Sequence, residues 1–150
     1  MLSGDTLRLY RTADMIGAQF GGVAKNVLAI SVGIADGLQL GANARAALIT
    51  RGLAELMRLG HTLGAQPETL MGLSGLGDLV LTATDDQSRN RRFGLLIGQG
   101  QQPKEACHTI GHVVEGMSNA QKLSALAKAN QVDAPIITAV DAVLQGALTP

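Results

Sequence analysis

MIGAQFGGVAKNVLAISVGIADGLQL, residues 15–40, is the stretch on which the reading of the whole chain turns. Ile16, Phe20, Val23, Val27, Ile30 and Ile34 recur at alternating steps of four and three, the period of an amphipathic helix. The positions between them are also small or apolar (Ala18, Gly21, Gly22, Ala24, Leu28, Ala29, Val32), and a helix apolar nearly all round is a buried one. Before Asp36 it holds one charge, Lys25, with Asn26 beside it. A lysine so placed must find a partner, reach a water-filled cleft, or lose its proton. The bland alternative is a stem laid along the helix with its ammonium snorkelling to the surface.

Gly17, Gly21 and Gly22, with Ala18, are small steps that let another backbone come close. Glycine costs a helix about 1 kcal/mol against alanine, so their clustering points to close packing or to a ligand. The run is long and apolar enough to raise a membrane span. A mid-bilayer lysine costs at least ~2.5 kcal/mol, however, and Gln19 and Asn26 accompany it with no basic flank behind. The stretch therefore reads as the central helix of a soluble domain.

The chain has 150 residues, enough for one domain with a real core. Its formal net charge is zero and only 16% of its residues are charged, against about 25% in an average soluble chain. Nucleic-acid and membrane-surface partners therefore lack the basic patch they need. There is no Trp, one Tyr and two Phe, so the core must be Ala, Leu, Ile, Val and Met packed between helices. The lone cysteine, Cys107, has no partner for an internal disulfide and no nearby base, which makes it structural and fits a reducing compartment. The first fifteen residues do not read as a secretory signal, and the expected location is the cytoplasm.

Residues 5–11 (DTLRLYR) alternate like a short strand, the only one in the chain. A lone strand cannot satisfy its own backbone, so its partners would lie elsewhere. Asp14 stands where a helix N-cap belongs, ahead of the central helix. Gly41 and Asn43 break that helix and start a second over residues 44–63, with Arg45, Arg51, Glu55 and Arg58 on its solvent side and Arg51 and Glu55 one turn apart. Gly64 ends it, and Pro67 opens a short helical turn. Further helices are expected from residue 104, over 117–129 and over 136–144.

Chemistry-bearing residues gather in the second half. Gly72, Gly75 and Gly77 make a tight approach to Asp78, with Thr82 one turn later. The order G-x-x-G-x-G with no preceding strand is not a dinucleotide fingerprint. It suits either a polar site at a helix start or a plain cap by Ser74 or Asp78. Ser88, Arg89 and Asn90 combine hydroxyl, guanidinium and amide donors suited to a phosphate. The competing account is a solvated helix start with Asp85 or Asp86 pairing Arg89 or Arg92. His108 and His112 are four apart, but Gly111 lies between them and no third ligand is assigned, so no metal site is expected.

GGVAKN, GLGDL with its threonine, SRNRRFG and VVEG, in that order, closely resemble the C-terminal domain of NAD(P)-dependent glycerol-3-phosphate dehydrogenases, over essentially the whole chain. The resemblance implies an all-α substrate domain of the 6-phosphogluconate-dehydrogenase C-terminal type, following an N-terminal Rossmann domain. Residues 1–14 would then be a leftover strand and linker, and residues 15–150 the helical domain. It implies Lys25 as the catalytic general acid/base, Asn26 as its polar neighbour, and Asp78 with Thr82 at the substrate end. Ser88, Arg89 and Asn90 would bind the phosphate, Arg89 also touching the nicotinamide cofactor, with Val113 and Glu115 on the cofactor side. The implied reaction interconverts sn-glycerol 3-phosphate and dihydroxyacetone phosphate, a step of glycerophospholipid and carbohydrate metabolism. NAD or NADP would be held mostly by the other domain, since the chain has neither the glycine-rich dinucleotide loop nor that domain's substrate-contacting lysine. Such a piece would turn over little by itself. A non-catalytic helical dimerisation module and another phosphorylated-substrate dehydrogenase of the same superfamily are the alternatives, and a homodimer is compatible with all three.

Overall fold

Asp14 begins the central helix as expected. Its Oδ1 accepts the Gly17 N–H at 2.8 Å, opening α1 (Met15–Gly37), while Oδ2 accepts the Gln66 N–H at 2.8 Å. The computed structural model describes residue 4 and residues 6–150. After α1 come α2 (Gly41–Thr62), α3 (Pro67–Met71), a π-helical turn (Leu73–Gly77), α4 (Asp78–Thr84), α5 (Arg89–Gly98), α6 (Pro103–Ile110), α7 (Glu115–Ala129) and α8 (Pro135–Leu144). The fold is all-helical, as expected. Helix α1 is its axis: α2, α3, α4, α5, α7, α8 and the π turn all pack on it, and α6 packs on α5.

By length and composition α1 could cross a bilayer, but here every residue from Asn26 to Ala35 is buried by other helices. Its first half is covered on one face only, that of Gly17, Phe20, Gly21 and Ala24. Ile16 and Val23, expected in the apolar stripe, are exposed, because the elements packed on this half sit against the glycine face.

The expected strand is a correction. Asp5 lies outside the described residues, and residues 7–11 have no regular structure, with Leu7, Leu9 and Tyr10 exposed. No strand forms among the described residues: alternation alone does not supply the backbone ladder that a strand requires.

Close approach of α1 and α5 depends on glycines at both surfaces. A Cβ on Gly33 or Gly37 would run into the backbone of Arg91 or Leu95, and one on Gly94 or Gly98 into that of Ile30 or Ile34. That approach sets Arg91 of α5 against Asp36 near the end of α1. Arg91 Nε and Nη2 donate to Asp36 Oδ2 at 3.0 and 2.7 Å, and Nη1 donates to Asp86. Arg45 of α2 donates to the other Asp36 oxygen. Asp86 thus pairs Arg91, not Arg89 or Arg92.

Glu55 also departs from expectation. It is buried, and its two carboxylate oxygens accept the Ile136 and Ile137 N–H groups at 2.8 and 3.1 Å. Helix α8 starts at Pro135 with no side-chain cap of its own, so its first free donors need an acceptor from elsewhere.

Candidate active site

Lys25 stands where α1 passes from its half-covered to its fully covered part. Two glycines determine what faces it. A Cβ on Gly75 would collide with the Leu70 carbonyl, and one on Gly21 with the Ser74 carbonyl. The π turn therefore lies tightly between α3 and α1, a geometry common at functional sites. It delivers Asp78, the first residue of α4, beside the lysine. Lys25 Nζ donates to Asp78 Oδ2 at 2.6 Å, with the two side chains 21% and 34% exposed. Neither Ser74 nor Asp78 caps a helix with its side chain; the Asp78 carboxylate is committed to the lysine. A pair this open contributes about 1 kcal/mol or less to stability, so stability alone does not account for a lysine in this helix.

Thr82, one turn on, donates its hydroxyl to the Asp78 carbonyl at 2.7 Å, with Asp78 Oδ1 at 3.4 Å. Lys25 keeps two N–H donors beyond the one that Asp78 takes.

Asn26 and Asn90 form the second half of the site. Asn26 Oδ1 accepts from Asn90 Nδ2 at 3.0 Å, and Asn90 Oδ1 accepts the Gly116 N–H at 2.9 Å. Asn26 Nδ2 points toward Glu115 Oε2 and the Gly22 carbonyl, each at 3.4 Å. This chain of amides ties α1, α5 and the start of α7 together. Ser88 caps α5, its Oγ accepting the Arg91 N–H at 3.3 Å. Arg89, the next residue, is exposed, and its guanidinium has no ion-pair partner among the described residues.

Lys25, Asn26, Thr82, Ser88, Arg89, Asn90 and Glu115 line one open cleft of about 460 Å³. Asp78 bears on it through Lys25. Val113 does not join them: it is 76% exposed and lies in a separate groove with His108 and His112. Those histidines do not share a helical face, because Gly111 leaves α6 with φ +70°. Cys107 packs its sulfur against Met117 Sδ at 3.0 Å, and burial raises its thiol pKa. Gly22, whose clustering with Gly17 and Gly21 pointed to close packing or a ligand, also lines the cleft, as do Leu81, Asp85 and Gln87, which carried no sequence signal of that role. The Asp85 turn, whose Oδ1 accepts the Gln87 N–H at 2.8 Å, is the nearest to one, since it sets up the Ser88 cap.

Residues 14–150 match the family described as NAD-dependent glycerol-3-phosphate dehydrogenase C-terminus. The chain is 55% identical over 149 residues to a glycerol-3-phosphate dehydrogenase [NAD(P)+] of Xanthomonas campestris, covering 99% of the chain and 44% of that protein. It is 58% identical over 145 residues to the protein of the same name from an Acidovorax species, covering 97% of the chain and 44% of that protein. The chain thus spans less than half the length of these relatives. Among solved structures, glycerol-3-phosphate dehydrogenase from Coxiella burnetii superposes with a TM-score of 0.95 at 52% identity, covering 99% of this chain and 46% of that one. A Dunaliella salina structure shares the fold, with a TM-score of 0.83 at 23% identity over 93% of this chain and 26% of its own.

Proposed function

The chain belongs to the C-terminal family of NAD-dependent glycerol-3-phosphate dehydrogenases, and on that basis we propose that it is the substrate half of a cytoplasmic enzyme interconverting sn-glycerol 3-phosphate and dihydroxyacetone phosphate. The observation that carries the reading is Lys25, held by Asp78 at 2.6 Å and lining the same cleft as Ser88, Arg89 and Asn90. An ammonium at one end and a guanidinium at the other match a three-carbon substrate with a reactive oxygen at C2 and a phosphate beyond it.

Reduction at C2 leaves negative charge on the carbonyl oxygen. Lys25 gives that oxygen a proton, and in the oxidising direction the unprotonated amine takes the hydroxyl proton back. Asp78 holds the amine in place, occupying one of its donors and leaving two for the substrate. Arg89 and the remaining N–H of Asn90 grip the phosphate, assisted by the first N–H groups of α5. Binding energy from this remote end is then used for orientation at C2.

Arg89, besides holding the substrate phosphate, and Glu115 line the same cleft and would both touch the nicotinamide cofactor. When bound, the nicotinamide supplies or accepts the hydride. Most of its contacts belong to a nucleotide-binding half, to which residues 1–14 form the join, so the isolated domain turns over little. The test is dihydroxyacetone phosphate reduction by the full-length protein, with and without Lys25→Ala. Loss of turnover with the fold intact supports the reading; parental turnover refutes it.

A further inference from the structure

Three glycines crowd the first half of α1, and the fold uses only two of them. A Cβ on Gly17 would meet the side chains of Asp14 and Thr69, and one on Gly21 the Ser74 carbonyl, whereas a Cβ on Gly22 would meet nothing within 4 Å. Nor does the backbone require glycine there: Gly22 lies within the helix and is not among the described residues of positive φ. Alanine is the better helix former at such a position. By every measure internal to the domain, Gly22 is therefore a loss.

Its place in the cleft is what it does serve. Gly22, Lys25 and Asn26 stand at i, i+3 and i+4, on one face of α1, and all three line the cleft. With no side chain at Gly22 and nothing within 4 Å of where one would begin, the helix surface one turn before Lys25 is left open. We propose that Gly22 is a specificity-determining residue. Its missing side chain lets the carbon chain of the three-carbon phosphate lie against the helix surface while the C2 oxygen reaches Lys25. The inference rests on the proposed function and deepens it. The substrate is the ligand concerned because Lys25, one turn from Gly22, is the group assigned to the C2 oxygen and pairs Asp78; Asn26 reaches both Asn90 and Glu115, so the nucleotide arm of the test separates the two ligands.

The experiment is Gly22→Ala in the full-length protein, assayed with dihydroxyacetone phosphate and the nicotinamide nucleotide as separately varied substrates. The expected KM for dihydroxyacetone phosphate rises at least about tenfold, as displacement by a methyl group requires. The nucleotide KM stays within about twofold, and the thermal midpoint is equal to the parent's or higher. A parental substrate KM overturns the inference, as does a comparable or larger rise in the nucleotide KM, or a lowered midpoint, which would give the glycine a structural purpose. Gly21→Ala is the contrast and lowers the midpoint. A parent that does not reduce dihydroxyacetone phosphate removes the proposed function and this inference together; an active parent matched by Gly22→Ala removes the inference alone.

Discussion

Lys25 Nζ and Asp78 Oδ2 lie 2.6 Å apart although 53 residues separate them in sequence. The contact is made by a tight π turn wedged against α1; both side chains stay partly exposed, and Lys25 lines the cleft. Replacing Lys25 with alanine in the full-length protein is expected to lower kcat by about 10²–10⁴-fold, the range for losing a positioned acid/base. The thermal midpoint should barely move, because the open pair contributes ~1 kcal/mol or less. Asp78→Asn should lower kcat less than Lys25→Ala, since the amine survives and only its anchor weakens. Steady-state kinetics with parallel melting curves checks both. A large loss of stability in Lys25→Ala would make the pair structural.

Arg89 is the exposed cation of the cleft, with no ionic partner among the described residues. Its removal therefore leaves no orphaned carboxylate and should spare the fold. A charge-assisted hydrogen bond to phosphate contributes about 1.5–3 kcal/mol, so Arg89→Ala should raise the KM for dihydroxyacetone phosphate by roughly 10–150-fold. Arg89→Lys should recover only part, lacking the planar fork. Titrating substrate at several salt concentrations checks the assignment: the parental KM should climb with ionic strength, and the alanine variant's should climb less.

Arg91, two residues on, has the opposite character. Its side chain is 9% exposed and that of Asp36 8%, whereas Arg45, the other partner of Asp36, is 36% exposed. Breaking a buried pair from one side costs about 3–5 kcal/mol, while an open partner is worth about 1 kcal/mol or less. Arg91→Ala should thus destabilise the domain several times more than Arg45→Ala, as read by urea unfolding. Equal effects would mean that the Asp36 site is wetter than its burial indicates.

The contrast between Arg89 and Arg91 shows where sequence reading reaches its limit. SRNRR reads as a single basic cluster, and its neighbours suit a phosphate. Which arginine faces solvent and which faces Asp36 depends on the register of α5 against α1. That register is set by glycines 33, 37, 94 and 98 meeting opposite backbone, a pairing that no local pattern displays. Helix α1, its cap Asp14 and the stranded Lys25 were legible because periodicity and a charge in an apolar run are local signals. Glu55 was misread for the same reason: one turn from Arg51 it looks like half of a surface pair, and only the capless start of α8 explains its burial. Residues 5–11 carry a strand's alternation, but alternation does not create the neighbour that a strand needs.

Glu55 also makes a prediction with a definite sign. Burial raises its pKa above the ordinary 4.5, and the bonds from Ile136 and Ile137, with Arg58 nearby, offset this only partly. A carboxyl whose folded pKa is raised stabilises fully below its unfolded pKa and loses that contribution as pH rises through the folded value. Asp14 runs the other way: the Gly17 and Gln66 N–H groups lower its pKa below 3.8, so its contribution is present above that value and fades only in stronger acid. The two windows lie on opposite sides and can be separated. In Glu55→Gln the amide oxygen still accepts from the start of α8, but no charge forms there. Measured by urea unfolding between roughly pH 4 and 8, the stability of Glu55→Gln relative to the parent should improve as pH rises from the ordinary 4.5 through the raised folded pKa, and then level off. A difference that stays flat over that range would mean that the carboxylate ionises in the folded domain at no cost, and that its two backbone bonds, not its burial, govern its charge.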